Sequence, residues 1–165
     1  MIHNYEDIQL RSIDKDDKEL DAALQDYSIL KYMSEKRVHP GDISREVRFK
    51  IEKNGEVVGE ASIHDIRWYN RKGTLSIILA KEYHGMGIGK KASLAIMQHA
   101  FDAMNFHRLE AEAVEYNPKS KNLLEALGFR KEGIMREAKY FEGKYHSVIK
   151  FGILKREYDK LYKKI

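Results

Sequence analysis

Hydrophobic and polar positions alternate in period two over 7–13 (DIQLRSI) and again over 45–53 (REVRFKIEK), the pattern of strands with one buried face. The second run leads into Asn54-Gly55, a pair suited to a tight hairpin turn, so 56–66 (EVVGEASIHDI) is predicted to return beside it. Another strand is predicted over 73–80 (GTLSIILA), after the turn residues Asn70 to Gly73. The period then changes. Ile88, Ala92, Ala95, Ile96, His99, Ala100, Ala103 and Met104 recur at spacings of three and four. That predicts an amphipathic helix carrying His99 on its apolar stripe as a core or boundary residue. A strand over 107–117, a short helix over 120–129 ended by Gly128, a long hairpin over 130–143 and 144–154, and a last helix from Arg156 complete the chain. Near the start, Asp14 is the expected N-cap of a helix reaching Asp26, and the stretch up to Ser44 reads as irregular helix broken at Pro40-Gly41.

The order β-α-α-β-β-β-α-β-α-β-β-α predicts an α+β domain with a mostly antiparallel sheet of seven strands. No linker or internal repeat interrupts it, so residues 1–165 are expected to form a single domain. Composition narrows the class without changing the picture. An apolar share of 42% and a charged share of 34% suit a globular protein with a highly charged surface. No apolar run approaches the roughly 18 residues of a membrane span, so no membrane partner is expected. The opening MIHNYEDIQLRS carries acids and lacks an apolar signal-peptide centre, which points to the cytoplasm. Zero cysteines exclude disulfides, thiolate metal sites and cysteine nucleophiles, and no metal site is expected. The net charge of +4 comes mostly from 130–165, where eleven basic residues face five acids. No recognition motif accompanies that charge, so it reads as a solvated basic face and not as a nucleic-acid surface.

The stretch HGMGIG (84–89) is the chemical feature of the chain. A phosphate-binding P-loop would need Gly at His84 and a hydroxyl at Lys91, and a dinucleotide fingerprint would need Gly at Lys90. Both fail on spacing. What remains is a strand, a turn free of Cβ atoms at Gly85, Gly87 and Gly89, and a helix whose first N–H groups point into that turn. Lys90 and Lys91 stand nearby, and a diphosphate suits such a place. A tight glycine turn without any ligand is the competing reading of these residues alone.

With these residues the chain resembles the GNAT superfamily of acyl-CoA-dependent N-acyltransferases. His84 to Gly89 matches the family's Arg/Gln-x-x-Gly-x-Gly/Ala motif at all but its first residue, and VEYNPKSKNLLEALGFRKEG looks like the Asn-x-x-Ser/Ala…Gly-Phe segment, with Asn117, Ser120, Glu125, Gly128 and Phe129 in register. The closing stretch is similar to the branch that includes ribosomal-protein N-terminal and spermidine acetyltransferases. The resemblance implies a GNAT-like sheet whose fourth and fifth predicted strands splay to admit acetyl-CoA. It implies that the backbone of Ile77, Ile78 and Leu79 pairs with the pantetheine arm. The turn His84-Gly85-Met86-Gly87-Ile88-Gly89 with Lys90 would hold the diphosphate, and Asn117, Ser120 and Asn122 would be further cofactor contacts. It also implies a homodimer. Where many relatives carry a Tyr that protonates the leaving thiolate, this chain has Leu124, which cannot donate a proton.

Acetylating an amine requires a neutral nucleophile, a polarised thioester carbonyl and a departing thiolate. Strand N–H groups at 77–79 can polarise the carbonyl, and a thiol leaves readily, with a pKa of about 8.5 for the cysteine side chain. For the base, Thr74 stands where several relatives of the branch have Glu, and Thr is no base. His64 and Glu112 are the candidates, although Glu110, Glu112 and Glu115 are expected to face solvent on surface statistics. Tyr140 and Tyr145, on the final hairpin, are candidates for the acceptor pocket. Without a Cys or a Ser–His pair to nominate, direct transfer in a ternary complex is expected. The acceptor would be a protein N-terminus, a polyamine, a small-molecule amine or a nucleotide-linked amino sugar. A CoA-binding protein without catalysis is the alternative.

Overall fold

A computed structural model describes residues 2–13, 17–24, 45–68 and 70–163. The strands are β1 (Ile2–Tyr5), β2 (Ile8–Ser12), β3 (Val47–Lys53), β4 (Glu56–Arg67), β5 (Lys72–Leu79), β6 (Arg108–Val114), β7 (Arg130–Phe141) and β8 (Lys144–Leu154). The α-helices are α1 (Lys18–Leu24), α2 (Ile88–Gln98), α3 (Pro118–Ala126) and α4 (Lys155–Tyr162). One eight-stranded sheet runs β1-β2-β3-β4-β5-β6-β8-β7. Every neighbouring pair is antiparallel except β5 with β6. That pair is parallel because α2 carries the chain across the sheet between them.

Both predicted hairpins form, the first at the turn pair that its chemistry indicated. Asn54 and Gly55 take φ of 52° and 86°, and Glu142 and Gly143 take 49° and 77°, the doubly positive pair that matches strand twist in a two-residue turn. The sheet has one strand more than the pattern predicts. IHNY is only four residues long and half polar, too short for an alternation to register, yet it pairs with β2 from Ile2↔Arg11 to Tyr5↔Ile8. At α1 the cap is Asp17, whose Oδ1 accepts from the Leu20 N–H at 3.0 Å. Asp14, Asp26 and the predicted irregular helix lie outside the described residues.

Register sorts the sheet into two unlike faces. Phe49, Ala61 and Ile77 form one row across β3, β4 and β5, and Val47, Ile63 and Leu75 form the next. Onto this apolar face α2 lays Ile88, Ala92, Ala95 and Ile96, all buried. Ile88 and Ile96 contribute about 1.5–3 kcal/mol each and the two alanines less, so packing, more than helix propensity, holds α2 where its first turn meets the end of β5. His99 is buried as expected and meets Phe49 edge-on at 5.1 Å. Among the described residues no helix is long and apolar enough to cross a membrane.

Candidate active site

The parallel pairing that closes the sheet is short. β5 bonds to β4 from Lys72 to Leu79, but to β6 only from Lys72↔Arg108 to Thr74↔Glu110. Past that point β6 follows β8 as far as Val114↔Val148. Among the described residues, the β6-facing edge of β5 from Leu75 to Leu79 therefore has no strand partner. A wedge opens in the middle of the sheet, lined on one side by main-chain polar groups that call for hydrogen bonds.

The glycine turn sits at the mouth of this wedge. Gly85 and Gly87 take φ of 77° and 75°, which a residue with a Cβ adopts only under strain. Gly87 is also the N-cap of α2, and no side chain caps that helix. Its first N–H groups are thus left to a ligand or solvent, at the end where the dipole favours negative charge. A Cβ built on Gly85 or Gly87 would meet nothing within 4 Å, so the space over the turn is open. Gly89 is different: a Cβ there would lie 3.6 Å from Leu79 Cδ1 and from Leu123 Cδ2. The start of α2 is wedged between the end of β5 and α3. Open space, unsatisfied donors and a strand edge that ends beside them fit an extended ligand with a diphosphate at one end.

Side chains around the turn are sorted by their partners. The His84 Nε2 bonds the Leu79 carbonyl at 2.9 Å. A carbonyl only accepts, so Nε2 carries the proton, and the ring straps the turn to the strand. Met86 and Lys90 are exposed. Lys91 is not available as an anion ligand: it reaches Asp7 at 2.6 Å and Glu6 at 2.7 Å in the β1–β2 turn. Its hydrogen bond to Asp7 holds the ammonium above the ordinary lysine range and holds the Asp7 carboxyl below its own.

Across the wedge, Asn117 caps α3, its Oδ1 accepting from the Ser120 N–H at 3.2 Å, with Pro118 in the first turn. The Oδ1 is the capping acceptor, and the side-chain amide carries two N–H donors besides. Ser120 is half-buried and Asn122 exposed. Leu124 is buried in the main core, so the position of the family's Tyr points into packing.

The sheet's other face is polar around β4 to β6, apart from Ile78, which lies opposite Glu60. His64, Thr74 and Glu110 line up across β4, β5 and β6, and Ser62 lies opposite Ser76. His64 Nδ1 is 3.0 Å from the Asp65 Oδ2, so the hydrogen on that nitrogen faces the carboxylate and Nε2 carries the lone pair. Asp65 reaches this position through a bulge in β4, at a φ of 52°. Glu112 departs from the expectation of a solvent-facing carboxylate. Its side chain is 8% exposed and ion-paired with Lys150, which stands directly opposite it on β8. Glu110 is held by Lys72 at 2.7 Å. The sequence does not reveal that Lys72 and Lys150 hold these carboxylates. Alternation in EAEA against the basic alternation in β8 was the available signal, but only register says which charge meets which. Tyr140 and Tyr145 face each other across the hairpin tip, ring centroids 5.1 Å apart, and both are largely exposed. They form an exposed aromatic pair. An open cavity of 320 Å³ lies further along the polar face, beside Glu110, Gly133, Met135 and Lys150.

Known proteins resemble this chain in sequence and in fold. The acetyltransferase (GNAT) domain model matches residues 7–130. YdaF of Bacillus subtilis (strain 168), provisionally named a ribosomal N-acetyltransferase, is 32% identical over 106 residues, 64% of this chain and 58% of its own length. Spermidine N(1)-acetyltransferase of Escherichia coli (strain K12) is 28% identical over 113 residues, 68% of this chain and 61% of its own length. The match thus spans under two thirds of either relative. The structure of spermidine N-acetyltransferase from Vibrio cholerae, in complex with CoA and spermine, superposes with a TM-score of 0.82. At 23% identity, over 92% of this chain and 98% of that one, it is a likeness of fold.

Proposed function

The chain belongs to the GNAT acetyltransferase domain family, and from that premise we propose that it transfers an acetyl group from acetyl-CoA to a primary amine, by direct attack in a ternary complex. The observation that carries the reading is the unpartnered edge of β5 from Leu75 to Leu79, ending at an uncapped helix with an open glycine turn. Acetyl-CoA supplies the activated acyl group, a thioester. The N–H groups of Ile88, Gly89 and Lys90 hold the diphosphate, with Gly85 and Gly87 letting it approach the main chain. The backbone of Ile77, Ile78 and Leu79 lies along the pantetheine and orients it. Asn117 donates from the opposite side of the wedge. A carbonyl lying along β5 can be polarised by a strand N–H, an effect typically worth a few kcal/mol.

His64 takes the proton from the attacking amine. Its Nδ1–H is fixed on Asp65, which leaves Nε2 as acceptor and stabilises the imidazolium once formed. Glu112 is the weaker candidate, since its carboxylate is occupied by Lys150. Leu124 supplies no acid, so the thiolate departs unassisted or protonated by water, which its acidity allows.

Calorimetric titration with acetyl-CoA, followed by thiol release with a panel of amines, tests the reading. Binding together with amine-dependent release supports it. Binding without release from any amine makes the chain a CoA-binding protein. Stoichiometric acetylation of the protein by acetyl-CoA alone would replace direct transfer with a covalent route.

A further inference from the structure

The charges on the polar face narrow the acceptor, on the premise that the chain is the transferase proposed above. Around the open edge of β5 the apolar face is filled by α2 and α3, with Ala92, Ala95 and Leu124 buried there. A polar amine therefore reaches the wedge from the opposite face. Glu60 and Ser62 of β4, Thr74 and Ser76 of β5, and Glu110 and Glu112 of β6 share that face.

Among the described residues, Glu60, Glu110, Glu112 and Glu52 of this face each pair with a cation of the chain, and the Asp65 carboxylate is engaged by the Nδ1–H of His64. Glu60 pairs with Arg48 at 2.5 Å, and Glu110 with Lys72 at 2.7 Å and Arg108 at 3.2 Å. Glu112 pairs with Lys150, and Glu52 with Arg11. Asp17 and Glu19 of the neighbouring α1 region both hold Lys50, at 2.8 and 3.2 Å. Glu60 and Glu112 have side chains only 8% exposed, so another cation reaches them only by displacing the resident one. By sequence, 25–44 adds no net charge: Asp26, Glu35 and Asp42 balance Lys31, Lys36 and Arg37. The cavity of 320 Å³ on this face is lined by Lys150 together with Glu110 and Glu132, and Glu132 is held by Arg108 at 2.6 Å.

We propose that the acceptor is a primary amine on a scaffold without a second positive charge, neutral or anionic, and that polyamines are disfavoured. A polyammonium needs carboxylates for its distal charges. Here each would compete with a tethered Lys or Arg at high effective concentration, and Lys150 and Lys72 would repel it. A neutral scaffold meets neither penalty, and an anionic one gains a charge-assisted bond to the lysines.

The test is steady-state thiol release by the full chain with acetyl-CoA. The acceptors are spermidine, a neutral monoamine, a peptide with a free α-amine followed by acidic residues, and a nucleotide-linked amino sugar. At low ionic strength kcat/KM for spermidine should lie at least about tenfold below the best of the other three. The gap should narrow as salt rises, because the discrimination is Coulombic. The peptide and amino-sugar arms tell the two anionic sources apart. Lys150→Gln should shrink the gap by roughly tenfold, because the Glu112 carboxylate loses its resident cation. An unchanged gap in the folded variant overturns the proposal. Should that variant not fold, the salt series on the unaltered chain decides. Spermidine as the preferred acceptor at low salt overturns this inference and leaves the transferase reading standing. Acetyl-CoA binding without release from any amine overturns the transferase reading, and this inference with it.

Discussion

Replacing Gly87 by Ala separates the cradle from an ordinary turn. The residue has φ 75° and ψ −2°, and a Cβ there meets nothing within 4 Å. No clash contributes to the cost, so the penalty is backbone strain alone. The left-handed conformation costs a residue with Cβ roughly 1–2 kcal/mol, partly offset by about 0.4–1 kcal/mol from a stiffer unfolded chain. The net is about 1 kcal/mol, or roughly 2–4 °C in Tm for a domain of this size. The consequence for binding should be larger. The new methyl stands in the open space over the turn, where a diphosphate would lie, and losing one charge-assisted contact weakens Kd by about tenfold or more. Gly89→Ala is the internal control. Its Cβ would make ordinary contacts of 3.6 Å with Leu79 and Leu123, and a helical Gly→Ala change gains up to about 1 kcal/mol. Thermal unfolding with and without acetyl-CoA, backed by calorimetric Kd values, reads both effects. At a hundredfold excess over Kd the ligand stabilises the native state by about 2.7 kcal/mol. The unaltered chain and Gly89→Ala should show that upward shift, and Gly87→Ala should lose much of it. A folded Gly87→Ala protein with an unchanged Kd would refute the assignment of the diphosphate to this turn.

Other substitutions probe the rest of the wedge. Asn117→Asp keeps the cap on Ser120 but loses the amide donors, so Tm should hold while acetyl-CoA affinity falls. Asn117→Ala should lose both, with about 1 kcal/mol of stability gone by denaturant titration. His64→Gln should leave acetyl-CoA binding intact and lower kcat by about 10²–10⁴ with little change in KM; steady-state kinetics decides. Leu124→Tyr should not restore an acid. The side chain points into the core, so overpacking should cost about 1–3 kcal/mol without raising kcat. Tyr158, stacked on Phe101 at 4.8 Å, has its phenol pushed up to about 12 by burial. An unfolded Tyr ionises near 10, so above that pH the unfolded state holds fewer protons than the native one and stability falls. About 2–3 kcal/mol should be lost as pH rises from 10 through 12. Denaturant titrations at both ends of that window should show a flatter loss in Tyr158→Phe.

Local pattern was enough to read the stripe of α2 from Ile88, the hairpin turn at Asn54-Gly55, and a glycine turn opening onto a helix. Each is a property of consecutive residues: a spacing that matches a backbone period, or a residue tolerant of positive φ. Tertiary structure decided what the period cannot express. Whether β5 meets β6 for three residues or for eight depends on the crossover through α2 and on the competing pairing of β6 with β8. That choice creates the wedge. Charge partners were equally hidden, since Glu112 and Lys150 are 38 residues apart and Lys91 and Asp7 are 84 apart. A strand slipped by one residue would turn Glu112 to the apolar face and leave Lys150 without it. Residue types therefore determined which chemistry this chain can hold, and register, a long-range outcome of closing the sheet, determined which of those groups face one another across the cleft.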